Sequence, residues 1–219
     1  MSASPPRVAT FRAAYRERLP SWYNGWAHVL LNSAGAVLVG ALCLSRLQDP
    51  GLADAATVPV VFLLANAVEH LAHRYPMHRP LPGLGAMFQR HVGVHHRYFR
   101  HDSMPGTDSQ DFHATLTAPV QVAFLVLAGG LPLWLLVRTL LGPDAAALTG
   151  ATSAVYYLVF EWLHLAWHAR EDSWVLALPG MRALRQHHLL HHDPALMNQA
   201  GFNITFPITD HLLNTRPQD

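Results

Sequence analysis

The chain has 219 residues, of which 51% are hydrophobic and only 13% charged, with a formal net charge of +1. Soluble domains carry about 25% charged residues; the scarcity here, with a mean hydropathy of +0.14, points to a membrane protein, and the near-zero net charge excludes electrostatic capture of nucleic acid. The single cysteine, Cys43, excludes an internal disulfide or a thiolate metal site, whereas the 16 histidines are in marked excess.

Residues 1–25 hold Arg7, Arg12, Arg16 and Arg18 against Glu17 alone, and lack the apolar core of a cleavable signal peptide. Residues 11–19 predict a short amphipathic helix, followed by an interfacial aromatic anchor at Trp22, Tyr23 and Trp26. Four segments, near 26–47, 52–72, 116–141 and 145–168, then reach the roughly 20 residues that a helix needs to cross a bilayer. Gln48-Asp49-Pro50-Gly51 and Gly142-Pro143-Asp144 make tight turns within two helical hairpins. The predicted fold is all-α: residues 26–219 form one integral membrane domain of four transmembrane helices, with a cytoplasmic histidine-rich helical cap from residues 73–115 and 164–215.

Arginine placement sets the orientation. All but Arg46 and Arg138 lie in the N-terminus, the central loop or the C-terminal region, so the positive-inside rule puts those three regions, and both termini, in the cytoplasm.

The histidines gather where spans two and four end on that same side. The second span closes in Glu69-His70-Leu71-Ala72-His73-Arg74-Tyr75-Pro76-Met77-His78. On a straight α-helix His73 and His78 would lie about 140° apart, so a bend at Pro76 is expected to bring them to one ion. The central loop carries His91, His95 and His96. The fourth span ends with Glu161, His164 and His168 on one helical stripe, and His188, His191 and His192 share a helix face further on. Ten imidazoles are too many for one ion and suit two. Zinc has no redox chemistry, whereas iron activates dioxygen, so a two-iron site at a membrane surface suits oxidation of a lipid C–H bond.

In this arrangement the chain resembles the fatty acid hydroxylase/sterol desaturase superfamily over residues 60–215. The resemblance rests on His73-x4-His78, His91-x3-His95-His96, His164-x3-His168 and His188-x2-His191-His192, in that order, and on a closing segment from Gly201 to Thr215. The first and last motifs look most like the fatty acid 2-hydroxylase branch. The second motif has three residues before its His-His pair where the family has two, and Asn214 stands where the family tail has glycine. The resemblance implies two iron ions held by histidines, with zinc as a possible substitute in purified protein, dioxygen as co-substrate, and an external electron donor of ferredoxin or cytochrome b5 type with its reductase. The implied substrate is a lipid (fatty acyl, sterol or carotenoid-like) drawn from the bilayer.

Around the ligands, Glu69, Glu161, His187 and Asp193 are candidates for holding the far ring nitrogen of a ligating histidine. His70 is read as a hydrogen-bonding residue of the bundle, and His28, His101, His113 and His211 as ordinary interfacial or loop residues. Two alternatives to hydroxylation stay open: desaturation, which begins with the same hydrogen abstraction, and divalent-metal transport or storage without catalysis.

Overall fold

A computed structural model describes residues 5–217. Residues 1–4 of the predicted N-terminal segment lie outside the described residues. Among the latter the regular structure is helical, with one isolated bridge between Arg100 and Ser103.

The long elements are α1 (Pro6–Arg16), α2 (Gly25–Leu44), α3 (Thr57–Ala72), α4 (Pro119–Leu125), α5 (Leu131–Leu141), α6 (Pro143–Trp167), α7 (Met181–His191) and the short α8 (Ile208–Leu212). Proline opens α1, α4 and α6, where its missing N–H leaves no helical bond unmade. Gly142, at φ +106°, separates α5 from α6 in a conformation that a Cβ would strain.

Three π-helical turns interrupt this pattern: His73–Met77 after α3, Gln89–His95 in the central region and Val126–Gly130 between α4 and α5. The bend expected at Pro76 takes the form of the first of these turns.

The chain divides into two units. One comprises residues 27–65 and 117–161, the other residues up to 26, 66–116 and 162 onward. The first unit holds most of the apolar helix. The runs Gly25–Leu44, Leu52–Met77 and Ser109–Leu141 are each long and apolar enough to cross a bilayer. They correspond to the first three predicted spans. The fourth is a continuous 25-residue helix, α6, but Thr149, Ser153, Tyr156, Tyr157 and Glu161 dilute its apolar content, and it does not join the other three. Within this unit Gly150 lets α6 approach Cys43, whose Sγ would lie 2.5 Å from an added Cβ. Asp144 receives the backbone N–H groups of Gln48 (2.8 Å) and Asp49 (3.1 Å), which ties the two predicted turns together.

The second unit is built around buried polar side chains. The N-terminal helix belongs to it, with Arg12 turned inward at 4% exposure rather than outward to an interface. Tyr98, Phe99, Met104 and Ala114 form its apolar core, against which Phe11 and Tyr15 of α1 pack.

Candidate metal centre

Nine of the ten histidines predicted as ligands fall into two buried groups. His73, His78, His91, His96 and His191 make the first, and His95, His168, His188 and His192 the second; within each group one nitrogen per ring lies within 4.8 Å of every other. The tenth, His164, adjoins the second group, with its Nε2 3.2 Å from His95 Nε2. The groups are neighbours: the rings of His96 and His192 are 4.3 Å apart.

Local helix geometry explains the sorting. At the second site His164 and His168, and His188 and His192, are four residues apart, the first of each pair in the last turn of α6 or α7 and the second just past its end, so each pair shares a face. In the first group His73 and His78, and His91 and His96, are five apart, a spacing that an α-helix splays across two faces. Both pairs are bridged by π turns, whose i→i+5 hydrogen bonding brings them back to one side. The extra residue before His95-His96 is accommodated by this wider turn, and His91 takes its place in the first group. His191, the last residue of α7, and His192, its C-cap, are adjacent and enter different groups.

Six of the rings, three in each group, share one orientation. Nδ1–H of His73 donates to Phe202 O (2.6 Å), that of His191 to Ala200 O (2.8 Å) and that of His78 to Asn198 Oδ1 (3.2 Å). In the second group, Nδ1–H of His192 donates to Phe99 O (2.6 Å), that of His95 to Ala114 O (2.9 Å) and that of His168 to Met104 O (3.3 Å). A carbonyl can only accept, so the proton sits on Nδ1 and the Nε2 lone pair points the other way.

Those lone pairs converge. Nε2 of His73 stands 2.7 Å from that of His91, and the pairs His96–His91 and His78–His191 are both at 3.1 Å. In the second group the separations are 3.0 Å for His192–His188, 3.1 Å for His95–His192 and 3.3 Å for His188–His168. In the pairs His78–His191 and His95–His192 both rings carry their proton on Nδ1, and two unprotonated nitrogens at 3.1 Å repel unless a cation lies between them. Nitrogens each about 2.0–2.1 Å from one ion stand about 3 Å apart. The residues present therefore fit two imidazole-bound metal ions.

Electrostatics favour the same state. Burial, reinforced by neighbouring imidazoles, holds His91, His96, His188, His191 and His192 well below the usual histidine range, and burial pushes His78 and His95 down to about 4. These rings are neutral at physiological pH, as a metal ligand must be.

The other predicted residues have separate places. Glu69 accepts Thr205 N–H (2.9 Å), Thr205 Oγ1–H (2.6 Å) and Ile204 N–H. His187 donates to Asp210 Oδ2 (3.0 Å), and His70 Nδ1 lies 3.2 Å from Asp210 Oδ1. Glu161 accepts from Asn32 (3.1 Å) and Thr117 N–H (3.0 Å) in the apolar unit. Asp193, attractive for its position beside His192, accepts Ala195 N–H (2.8 Å) in its own turn. His28, His101, His113 and His211 enter neither group.

Sequence reasoning gave no role to Asp210, a fully buried carboxylate that also accepts Phe202 N–H (3.1 Å), Asn203 N–H (2.8 Å) and Thr215 Oγ1–H (2.7 Å). Burial opposes its ionisation, but the hydrogen bonds from His187, His70, Asn203 and Thr215 outweigh burial and hold it well below the carboxylate range. The available signal was its place in the closing segment. Asn214, where the family has glycine, sits at φ +54°, a left-handed conformation that asparagine tolerates better than most residues.

No family model matches the chain, and no curated protein matches it. Among solved structures it is similar to full-length scs7p, of which only the hydroxylase domain is visible, with a TM-score of 0.62 over 88% of this chain and 67% of that one at 22% identity. The chain has the fold of that hydroxylase domain. The fold thus agrees with the resemblance that the histidine motifs carried.

Proposed function

We propose that this chain is a membrane-embedded di-iron oxygenase of the fatty acid hydroxylase/sterol desaturase superfamily, inserting one atom of dioxygen into a C–H bond of a lipid. The observation that carries the reading is the double set of converging Nε2 atoms, three rings of each set oriented by an outward Nδ1–H, on a fold shared with a hydroxylase domain. We further read α6 as a fourth span, both termini as cytoplasmic, and the electron donor as an external ferredoxin or cytochrome b5-type protein.

His73, His78, His91, His96 and His191 would hold one ion, and His95, His164, His168, His188 and His192 the other. Two bound irons supply dioxygen activation. The balance is R–H + O2 + 2e− + 2H+ → R–OH + H2O, with electrons from the donor. The protein's own contribution is orientation and exclusion. Backbone carbonyls fix the tautomer of each ring they meet. Burial keeps the rings neutral and water out. The apolar helices suit an acyl, sterol or carotenoid-like substrate drawn from the bilayer.

The test is to purify the protein in nanodiscs, count metals, and profile lipids of expressing cells under 18O2. Two irons per chain and one lipid carrying a single 18O hydroxyl, both lost in His188→Ala, support the reading. A new alkene without 18O would make the enzyme a desaturase; exchangeable metal with no altered lipid would overturn catalysis.

A further inference from the structure

The carbonyls that orient the two histidine groups come from two different segments. For the first group they are Asn198 Oδ1, Ala200 O and Phe202 O; for the second, Phe99 O, Met104 O and Ala114 O. For these six rings, neither segment serves the other group. The two segments are pinned by different means. Residues 200–205 are held by Asp210 through Phe202 and Asn203, by Glu69 through Ile204 and Thr205, and by Gly201 N–H donating to Thr215 O (2.8 Å). Residues 98–111 are held by α1. Arg16 grips Asp111 at 2.7 and 2.9 Å, and Asp111 also accepts from Tyr98. Buried Arg12 spends its whole guanidinium on backbone: Nε donates to Tyr98 O (2.9 Å), Nη1 to Pro105 O (3.0 Å) and Nη2 to Ser103 O (2.6 Å).

The register of those three bonds is informative. Tyr98 O precedes the carbonyl that orients His192, and Ser103 O and Pro105 O bracket the one that orients His168. We infer that the two metal sites have separate braces, and that Arg12, about 90 residues away in sequence, is the positioning residue of the second. An arginine is needed because its planar fork carries five donors in fixed directions; a lysine ammonium reaches one or two of these carbonyls and leaves the others unmet in a buried place. The N-terminal helix is then part of the metal centre's scaffold and acts on one site only.

This inference rests on the two-metal reading, and one experiment separates the two. Holoprotein in nanodiscs is titrated with a chelator, and metal per chain is counted for wild type, Arg12→Lys and Asp210→Asn, with helix content and elution volume confirming the fold. Arg12→Lys is expected to release one ion at 10–100-fold lower chelator, the range seen when an outer partner of a ligand is lost, while the other ion is retained. The site is assigned by double variants. In a His192→Ala background Arg12→Lys should cost no further ion, whereas in a His191→Ala background it should loosen the one that remains. Asp210→Asn should show the reverse. Should Arg12→Lys not fold, Arg12→Gln replaces it in the same scheme. Release of both ions together, or of neither, in a folded Arg12 variant overturns the inference while leaving the two-metal reading intact. A wild type that binds no metal overturns both.

Discussion

In the unit formed by residues 27–65 and 117–161 the side chains that face outward are apolar: Leu30, Leu38, Val60 and Leu140 are exposed, and the most apolar stretch of Ser109–Leu141 has no buried residue. In the unit formed by the remaining residues the inside is polar: His70, His188, His191, Asn203 and Asp210 are all at 0–1% exposure. Each pattern inverts what a water-soluble domain does. The first costs little if lipid replaces water around the helices. The second costs several kcal/mol per unmet group unless the polar atoms find partners: six ring Nδ1 atoms meet an oxygen acceptor, Asp210 takes His187, and the Nε2 atoms converge where a metal ion would fit. The contrast shows where each unit draws its stability, apolar contact with a bilayer in one and a network of buried polar partners in the other.

The largest effect should come from opening that polar set. In His192→Ala one Nε2 leaves the second group, and the imidazoles of His95 and His188, both within 3.1 Å of it, lose a common neighbour. Product formation is expected to fall at least about 100-fold with loss of one ion per chain, read by product analysis and metal counting. Unchanged turnover would remove His192 from the site.

A second effect concerns protons and needs no substrate. In the unfolded chain histidine titrates near about 6.5, whereas the buried rings titrate lower, His78 and His95 at about 4. Below about pH 6.5 the unfolded state therefore binds protons that the folded state refuses, and stability falls as pH drops. Each such group contributes about 1.4 kcal/mol per pH unit until its folded pKa is passed. Metal-free protein should lose thermal stability steeply between about pH 6.5 and 4. Bound metal should shift the loss to lower pH, since protons then compete with the ion. A Tm independent of pH over that range would contradict neutral, buried imidazoles.

Gly201→Ala probes one brace alone. Gly201 lies at φ +76°, between the carbonyls of Ala200 and Phe202, and a Cβ there would meet His191 Cβ at 2.9 Å and Pro217 Cγ at 3.1 Å. Strain of this kind costs about 1–3 kcal/mol. The expected result is a lower Tm together with weaker binding of the ion in the first group and no change in the second.

These outcomes also mark how far residue identity could be read ahead of structure. Three spans were legible because long apolar runs leave few other options, and α6 was legible as a helix although its Thr149, Tyr156 and Tyr157 blur its hydropathy. The i, i+4 histidine pairs could be assigned to a helix face directly. Of the i, i+5 pairs, His73 and His78 could be joined through the bend expected at Pro76, whereas a π turn itself has no strong sequence signature and His91–His96 had none to mark it. The braces were invisible for a different reason. Their acceptors are backbone carbonyls, which every residue has, and Arg12 finds them 86 to 93 residues away. Asp193 stands out by adjacency to His192 and accepts a bond within its own turn, while Asp210, 17 positions further on, holds the closing segment.

The smallest expected effect sharpens the other half of the comparison. Leu127 is 65% exposed in the π turn between α4 and α5. Were that face turned to a packed protein partner, Leu127→Ala would leave a cavity and cost about 2–5 kcal/mol. Facing lipid, the gap is filled by acyl chains, and the Tm in nanodiscs should stay within what an exposed substitution produces, about 0.5 kcal/mol. Leu127→Arg makes the silence interpretable. A guanidinium at the centre of a spanning helix raises the insertion cost by about 2.5–3.5 kcal/mol, so the arginine variant should reach the membrane fraction in lower yield while the alanine variant matches wild type. Equal yields for both would mean that this face does not meet the hydrocarbon, and the exposed leucines and valines of the unit would then need a protein partner to cover them.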